Sequence, residues 1–277
     1  MHVIRADKSG FCFGVKRAIE MARQQCETGK RVYSLGPLIH NPQVIERLRE
    51  DGLTVIDSPD EAEGGTVVIR SHGAPTSLIA ELRARGLEVV DATCPLVKRA
   101  QERAVALARD GYAVVIVGDP RHPEVRAMLA DVGEATVVEE EPPATLASAK
   151  RVGVIAQTTQ APESFRHVVH RLLDFDFDEL RVYNTICQAT VDRQRAALDL
   201  AGSGDVDVMF VLGGRNSANT GRLAQLCLAA GVPTYHLETP DELTDDMTAG
   251  RRSAGVTAGA STPDWIINAF VAALESR

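Results

Sequence analysis

Two cysteines open the same short sequence pattern, and this repeat constrains the fold more than any other feature. Cys12 and Cys94 are each followed by Val, Lys, Arg and Ala at the third to sixth positions after the thiol. Cys187 opens a looser copy, Gln-Ala-Thr-Val-Asp-Arg. These three cysteines are spaced 82 and 93 residues apart, too far for a local zinc knuckle and about the length of one small α/β unit. The spacing predicts three units, each presenting one thiolate to a shared centre.

Cys94 lies where a strand pattern gives way to a helix pattern. Residues 87–90 form a β-rich apolar run, and apolar residues recur at helical spacing after the cysteine. Pro95 suits the first helical turn. Unpaired backbone N–H groups at a helix start, together with Lys98 and Arg99, favour the thiolate that a metal or an electrophile needs. A single such cysteine is more often a buried packing residue. The repeat favours the functional interpretation.

Strand and helix patterns alternate along the chain, which predicts an α/β fold with mainly parallel strands. With 277 residues, 44% of them hydrophobic, the chain can form two or three small cores. A net charge of −8 argues against nucleic-acid binding. No apolar run reaches the ~18 residues of a membrane span, and the N-terminus lacks the apolar core of a signal peptide. We therefore expect a cytoplasmic protein with no membrane partner, in which the five cysteines form no disulfides.

Two segments have the composition of linkers. Residues 139–149 are rich in Glu and Pro, and residues 202–204 read Gly-Ser-Gly. Cys26 and Cys227 fall inside helical patterns, so we expect both to be packing residues.

Polar residues cluster in the loops that follow predicted strands. Ligands of parallel α/β sheets bind outside the carboxyl ends of the strands, so these loops are expected to line one cavity. His40, His72 and His122 each follow a predicted strand. One such histidine more often forms ordinary hydrogen bonds within its loop. With three at equivalent places, a functional role and ordinary hydrogen bonding are about equally favoured.

Other loop residues have the chemistry of anion binding and proton transfer. Ser217, Asn219 and Ser261 lie in Gly-rich turns at helix starts, where hydroxyl, amide and N–H groups can bind phosphate oxygens. Ordinary N-capping is the alternative. Neither turn is a Walker loop or a GxGxxG motif, so no nucleotide is indicated. His122 and Glu124 flank a proline and could share proton transfer, or Glu124 could simply face the helix dipole.

The cysteines allow two kinds of metal centre. Zinc could be held by three cysteines, or by cysteine together with histidine. Three thiolates with no fourth cysteine suit a cubane cluster better, because one iron then stays open for a substrate oxygen. Spacing alone leaves both possibilities open.

Ordered motifs over essentially the whole chain resemble the 4-hydroxy-3-methylbut-2-enyl diphosphate reductase family, also known as the IspH or LytB family. The motifs are Gly10-Phe11-Cys12-Phe13-Gly14-Val15, Ile39-His40-Asn41, Ser71-His72-Gly73, Asp91-Ala92-Thr93-Cys94-Pro95, His122-Pro123-Glu124-Val125, Gln157-Thr158-Thr159, Cys187-Gln188-Ala189-Thr190, Asn216-Ser217-Ala218-Asn219 and Thr257-Ala258-Gly259-Ala260-Ser261. The resemblance implies a three-lobed, trefoil arrangement of three small α/β units around a central iron–sulfur cluster. The units would comprise residues 14–93, 94–185, and 186–277 with 1–13.

The resemblance also implies the site residues. One oxygen-sensitive 4Fe-4S cluster would be held by Cys12, Cys94 and Cys187, with the fourth iron open to substrate. The catalytic residues would be Glu124, Thr158 and His122. The substrate-binding residues would be His40, His72, His122, Thr158, Ser217, Ala218, Asn219 and Ser261.

The chain departs from the family pattern at two positions. Ala218 stands where the family usually has Ser, so one hydroxyl contact to phosphate is absent and the backbone N–H must suffice. Ala127 stands where Gly is expected, which bears on helix packing more than on chemistry.

The implied reaction is reductive dehydroxylation of an allylic diphosphate to isopentenyl and dimethylallyl diphosphate, the last step of the non-mevalonate isoprenoid pathway. The open iron would bind the hydroxyl oxygen, and Glu124 would supply the proton that lets it leave as water. A flavodoxin or ferredoxin would supply the electrons, docking near local cations. The candidate cations are Lys16, Arg17, Lys98 and Arg99. Two rival functions are a zinc-dependent hydrolase and a non-catalytic cluster protein that senses iron or oxygen.

Overall fold

The computed structural model describes residues 1–277 and contains three four-stranded sheets. The chain begins with β1 (His2–Arg5) and α1 (Phe13–Cys26). The next elements are β2 (Val32–Leu35), α2 (Pro42–Glu50), β3 (Leu53–Ile56), β4 (Thr66–Ile69), α3 (Thr76–Ala84), β5 (Glu88–Asp91) and α4 (Pro95–Arg109). The four strands β2 to β5 form the first sheet, in the order β3-β2-β4-β5.

The remaining elements repeat this arrangement twice. The second stretch comprises β6 (Ala113–Val117), α5 (Pro123–Val132), β7 (Ala135–Val138), β8 (Arg151–Ala156), α6 (Pro162–Leu172), β9 (Glu179–Val182) and α7 (Gln188–Gly202). The third comprises β10 (Val208–Leu212), α8 (Ala218–Ala229), β11 (Thr234–Leu237), α9 (Asp245–Thr248), β12 (Ser253–Ala258) and α10 (Asp264–Glu275). Short 3-10 helices occupy Pro59–Glu61, Ala144–Ser148 and Pro240–Glu242. The two sheets are ordered β7-β6-β8-β9 and β11-β10-β12-β1.

All three sheets have the same connectivity and only parallel pairs. The first strand of each pairs with the second on one side and the third on the other, and a fourth strand forms the edge beside the third. In the third sheet that edge is β1. Central strands such as β4 and β10 are buried along their whole length, which explains their continuous apolar runs. The predicted α/β fold with three lobes and parallel sheets is confirmed.

The chain divides into two compact units. Unit 1 comprises Met1–Lys16, Ile39–Arg47 and Gln188–Arg277, and unit 2 comprises Arg17–Leu38 and Leu48–Cys187. Each of the three ranges expected from the resemblance contains one whole sheet. The first two sheets nevertheless share unit 2, where α3 and α5 pack together and the N–H and hydroxyl of Thr76 both donate to Asp131 at 2.7 Å.

The two segments predicted as linkers lie inside lobes, so that prediction was wrong. Residues 139–149 connect β7 to β8 of a single sheet, and Leu146 packs into the hydrophobic core of that sheet. Residues 202–204 end α7 and lead directly into β10. Composition could not reveal the error because one buried leucine anchors an otherwise polar, proline-containing segment.

Two residues with unusual sequence context are packing residues. Cys227 is fully buried in the core of the third sheet, as predicted. Ala127 is buried within α5, where alanine is a better helix former than the expected glycine. None of the helices combines the length and the apolar character needed to cross a membrane.

Candidate active site

Cys12, Cys94 and Cys187 occupy equivalent positions in the three lobes. Each follows an edge strand and immediately precedes a helix, namely α1, α4 or α7. Each backbone N–H donates to the carbonyl that lies two residues beyond the third strand of the same sheet. The three bonds run from Cys12 to Ala260 at 3.1 Å, from Cys94 to Ser71 at 2.9 Å and from Cys187 to Thr158 at 2.9 Å. In each lobe, therefore, the same hydrogen bond joins the cysteine that follows the edge strand to the loop that follows the third strand.

The other two cysteines have different surroundings. Burial raises the pKa of the Cys227 thiol to about 11. Burial, followed by the nearby carboxylate of Asp51, also raises the pKa of Cys26. Both thiols are therefore held in the protonated form, which is a poor metal ligand.

Cys12, Cys94 and Cys187 have the donor chemistry of an iron–sulfur centre. All three thiols are half-buried and lie at helix starts. The Val15 N–H donates to the Cys12 sulfur at 3.5 Å. No group of three or more His, Cys, Asp or Glu side chains is arranged to hold a single metal ion. Thiolate sulfur is the ligand type that iron–sulfur clusters use.

Glu124 and Thr158 form a buried pair in unit 2. Glu124 is the second residue of α5, and only 1% of it is exposed. One carboxylate oxygen accepts the Thr158 N–H at 2.7 Å, and the other accepts the Thr158 hydroxyl at 2.8 Å. Burial raises the pKa of Glu124 to about 7, although the two hydrogen bonds from Thr158 act in the opposite direction. The carboxyl group can therefore hold and release a proton near neutral pH.

Thr158 also connects this acid to a cysteine, because its carbonyl accepts the N–H of Cys187. Its neighbour Gln157 fixes the same loop. The side-chain Oε1 of Gln157 accepts the Asp119 N–H at 3.0 Å, and its Nε2 donates to the Thr159 hydroxyl at 2.7 Å. Gln157 was not among the predicted site residues, although it belongs to the Gln-Thr-Thr motif.

Two histidines lie beside one another in the same unit. His122 caps α5, and its Nδ1 accepts the Glu124 N–H at 3.2 Å. This bond places the proton of a neutral ring on Nε2. The His72 ring meets the His122 ring edge to face, with 6.2 Å between centroids. Unit 2 thus brings together His72, His122, Glu124 and Thr158 of the predicted site.

Unit 1 holds the predicted anion-binding residues. Ser217 caps α8 by accepting the Thr220 N–H at 3.3 Å and the Thr220 hydroxyl at 2.9 Å. Asn219, the second residue of α8, is 4% exposed, and neither its amide nitrogen nor its amide oxygen has a hydrogen-bond partner. Such a buried group is costly unless a ligand satisfies it. Ala218 is exposed at the first position of the helix.

His40 approaches the same turns through its backbone. Its carbonyl accepts the Ser261 hydroxyl at 2.9 Å. A side chain at Gly214 would lie 2.7 Å from that carbonyl, so only glycine fits there. Asn41 was not predicted, yet it is buried, caps α2 through Val44 at 3.0 Å, and has an unpartnered amide nitrogen. Unit 1 therefore gathers His40, Ser217, Asn219 and Ser261 without an acidic side chain among them.

The four cations predicted to attract an electron donor differ in their contacts. Lys98 pairs with Asp91 at 2.9 Å. Arg17 donates to the Thr93 carbonyl at 3.1 Å. Lys16 and Arg99 are exposed.

Comparisons with known proteins identify the class of protein that this fold and these residues define. The sequence model of the family described as LytB protein matches residues 3–275. The chain is 49% identical over 275 residues to the 4-hydroxy-3-methylbut-2-enyl diphosphate reductase of Citrifermentans bemidjiense, covering 98% of this chain and 96% of that protein. It is 47% identical to the protein of the same name from Pelobacter propionicus, covering 97% and 95% of the two chains.

Two solved structures of reductases are also similar to this chain. A structure of (E)-4-hydroxy-3-methyl-but-2-enyl diphosphate reductase, described as the terminal enzyme of the non-mevalonate pathway, is 41% identical and covers both chains fully with a TM-score of 0.72. The Plasmodium falciparum reductase shares the fold, with a TM-score of 0.89 at 24% identity over 98% of this chain and 87% of that one. This chain belongs to the LytB family, and that prediction is confirmed. The family consists of iron–sulfur oxidoreductases of isoprenoid biosynthesis.

Proposed function

We propose that this chain reduces (E)-4-hydroxy-3-methylbut-2-enyl diphosphate to isopentenyl and dimethylallyl diphosphate. Each turnover consumes two electrons and two protons, breaks the carbon–oxygen bond of the hydroxyl group and releases water. The relatives carry this name, and the predicted residues for anion binding and proton transfer lie at strand ends of the fold. The observation that carries the proposal is Thr158, which binds Glu124 by two hydrogen bonds and Cys187 by a third.

The proposed cofactor is one 4Fe-4S cluster held by Cys12, Cys94 and Cys187, with one iron left for substrate. Their equivalent positions before α1, α4 and α7 support this ligand set. When bound, such a cluster supplies electrons one at a time and acts as a Lewis acid toward oxygen. The chain contributes the thiolates, the N–H groups near them and the surrounding loops.

The diphosphate is proposed to bind through neutral donors. The N-terminus of α8 carries a partial positive charge, and Ser217 and Asn219 lie in its first turn and cap. Ser261 would contribute a hydroxyl and His40 an imidazole, and the Ser261 hydroxyl donates to the His40 backbone carbonyl. The proposal adds His72 and His122, whose rings meet in unit 2. Ala218 would contribute only its backbone N–H.

Glu124 is proposed to give the departing hydroxyl its proton. Its carboxyl group has a pKa of about 7, so a large fraction is protonated at neutral pH. Thr158 orients both oxygens of the carboxyl group, and His122 holds the Glu124 backbone. The second proton is added to the reduced allylic carbon skeleton. A cytoplasmic location and a flavodoxin or ferredoxin electron donor complete the proposal.

Anaerobic purification and turnover test the proposal. The holoenzyme should be brown, should contain iron and sulfide, and should release isopentenyl and dimethylallyl diphosphate when given substrate and a reduced dye. A colourless zinc protein would support the hydrolase instead. A brown protein that leaves the substrate hydroxyl intact would support the sensor.

A further inference from the structure

Three helices follow the predicted cluster cysteines, and two of them are tied to the segment that precedes another cysteine. Arg17, five residues after Cys12, donates to the carbonyl of Thr93 at 3.1 Å. Arg193, six residues after Cys187, donates to the carbonyl of Gly10 at 2.7 Å. We call the place where the helix after one cysteine meets the segment before another cysteine a junction. An arginine–carbonyl hydrogen bond thus closes two of these junctions.

The third junction is open. Arg99 lies five residues after Cys94, as Arg17 does after Cys12, but it makes no such bond. It lines a groove of about 190 Å³ with Leu96 and Arg103 of α4 and with residues 182–186, and we refer to this surface as the α4 groove. The α4 groove lies wholly within unit 2. The junction that lacks the hydrogen bond is therefore a surface depression.

The chemistry of the α4 groove is unusual for this chain. Leu96 is 42% exposed and Val182 is 39% exposed, so its walls are partly apolar. Arg103 stacks over the Tyr183 ring, with 4.7 Å between the guanidinium carbon and the ring centroid. No lining residue is acidic, and neither Arg99 nor Arg103 forms an ion pair. The α4 groove is thus a cationic and partly apolar surface on a protein of net charge −8.

Residues that line the α4 groove are close in sequence to two predicted cluster ligands. Leu96 is two residues from Cys94, and residue 186 directly precedes Cys187. An electron carrier bound there would contact residues that neighbour both cysteines in the sequence. Transient electron-transfer contacts are small, so a shallow groove with a few cations is sufficient.

We propose that the α4 groove is the docking site of a small acidic protein that carries one electron at a time on a flavin or iron–sulfur centre. This inference rests on the proposed function. Arg99 and Arg103 attract the acidic rim of the carrier, while Leu96 and Val182 contact its apolar centre. Each visit oxidises the carrier by one electron and reduces the holoenzyme by one, so a turnover needs two visits together with the two protons described above.

The test compares protein-driven and dye-driven turnover of the cluster-loaded enzyme. The probes are reduced flavodoxin and a small uncharged reduced dye, and the variants are Arg99→Glu and Leu96→Ser. Arg109→Glu is the matched control because it lies on the same helix, roughly 15 Å along its axis from Arg99. Leu228→Ser, another exposed leucine, is the control for Leu96→Ser.

We expect Arg99→Glu to raise the KM for flavodoxin about tenfold at low salt and to weaken its dependence on ionic strength. Iron content and dye-driven turnover should match wild type, and both controls should behave as wild type with either donor. An unchanged KM for flavodoxin would overturn the docking site, as would an equal loss with the dye. Dimerisation of the wild type that Arg99→Glu abolishes would also overturn it, because the occupant would then be a second copy. Failure of the wild type with both donors would instead refute the proposed function.

Discussion

The same backbone position carries an amide in unit 1 and a carboxyl group in unit 2. Asn219 and Glu124 are each the second residue of a helix that follows the first strand of a sheet. The loop after the third strand differs in a matching way, since Thr158 in unit 2 corresponds to Ala260 in unit 1. Thr158 satisfies Glu124 through two hydrogen bonds, whereas Ala260 has no hydroxyl to offer and Asn219 remains unsatisfied.

This difference separates proton storage from ligand binding. A carboxyl group at a helix start is normally kept ionised by the helix dipole, but burial outweighs that effect at Glu124 and raises its pKa to about 7. A neutral amide with unpartnered atoms cannot supply a proton but can bind an anion. The same strand–loop–helix arrangement thus supports proton storage where it carries Glu124 and Thr158, and anion binding where it carries Asn219 and Ala260.

The largest expected effect is loss of the cofactor. Replacing Cys12, Cys94 or Cys187 with serine should remove most of the cluster, because each supplies one thiolate from an equivalent position. The controls are Cys26→Ser and Cys227→Ala, which should keep iron near the wild-type level. Iron and sulfide assays on anaerobic protein decide the matter. Full iron occupancy in Cys187→Ser would refute the ligand set.

Exchanging the carboxyl group for an amide should mainly affect turnover. Glu124→Gln keeps the size of the side chain and can still bond Thr158, but it cannot donate an acidic proton. Turnover should fall by roughly 10² to 10⁴-fold, the usual range for a general acid. Substrate affinity, followed by anaerobic titration of the cluster spectrum, should change little, and iron content should stay constant. Normal turnover with weak binding would make Glu124 a positioning residue, with His122 the next candidate.

The pH dependence follows from the same group. The protonated form of Glu124 is lost as pH rises through about 7, so dye-driven turnover should fall about tenfold per pH unit above that value. Stability should shift in the same direction. The folded-state pKa exceeds the ordinary value of 4.5, so the stability linked to Glu124 is present below about pH 4.5 and is lost as pH rises through about 7. A flat profile in wild type that matches Glu124→Gln would exclude Glu124 as the acid.

The reciprocal exchange in unit 1 should affect binding. Asn219→Asp places a carboxylate where a diphosphate is proposed to bind, so affinity should fall roughly 10- to 100-fold through a lost hydrogen bond and like-charge repulsion. Asn219→Ala removes only the hydrogen bond and should cost less affinity. It should not lower the melting temperature of the substrate-free protein, because it also removes two buried unsatisfied atoms. An affinity unaffected by either change would remove Asn219 from the binding site.

Local sequence patterns predicted the fold well because they depend on neighbouring residues. Buried parallel strands gave continuous apolar runs, and Pro95 marked the start of α4. The N–H bond that joins Cys187 to Thr158 could not be predicted, since spacing along the chain does not say which loop closes on the cysteine. Nor did any pattern indicate that residues 39–47 belong to unit 1. That placement depends on a backbone carbonyl, a serine hydroxyl and the missing side chain of Gly214.

The smallest expected effect concerns the position where this chain departs from its family. Ala218 is the first residue of α8 and is exposed beside Asn219, so a serine there fits without disturbing the core. Serine adds one hydroxyl donor to a helix start that already favours anions. A net hydrogen bond contributes about 0.5–1.5 kcal/mol, so Ala218→Ser should tighten diphosphate binding by about two- to tenfold.

The Ala218→Ser variant should leave the maximal rate and the pH profile unchanged, because Ala218 is not among the hydrogen-bond partners of Glu124. Titration of the cluster spectrum with substrate measures the affinity, and Ala229→Ser, at the exposed last residue of α8, serves as a control that adds a hydroxyl elsewhere. A change in the maximal rate with no change in affinity would mean that position 218 acts on the chemical step. The contrast between an anion-binding Asn219 and a proton-donating Glu124 would then not hold.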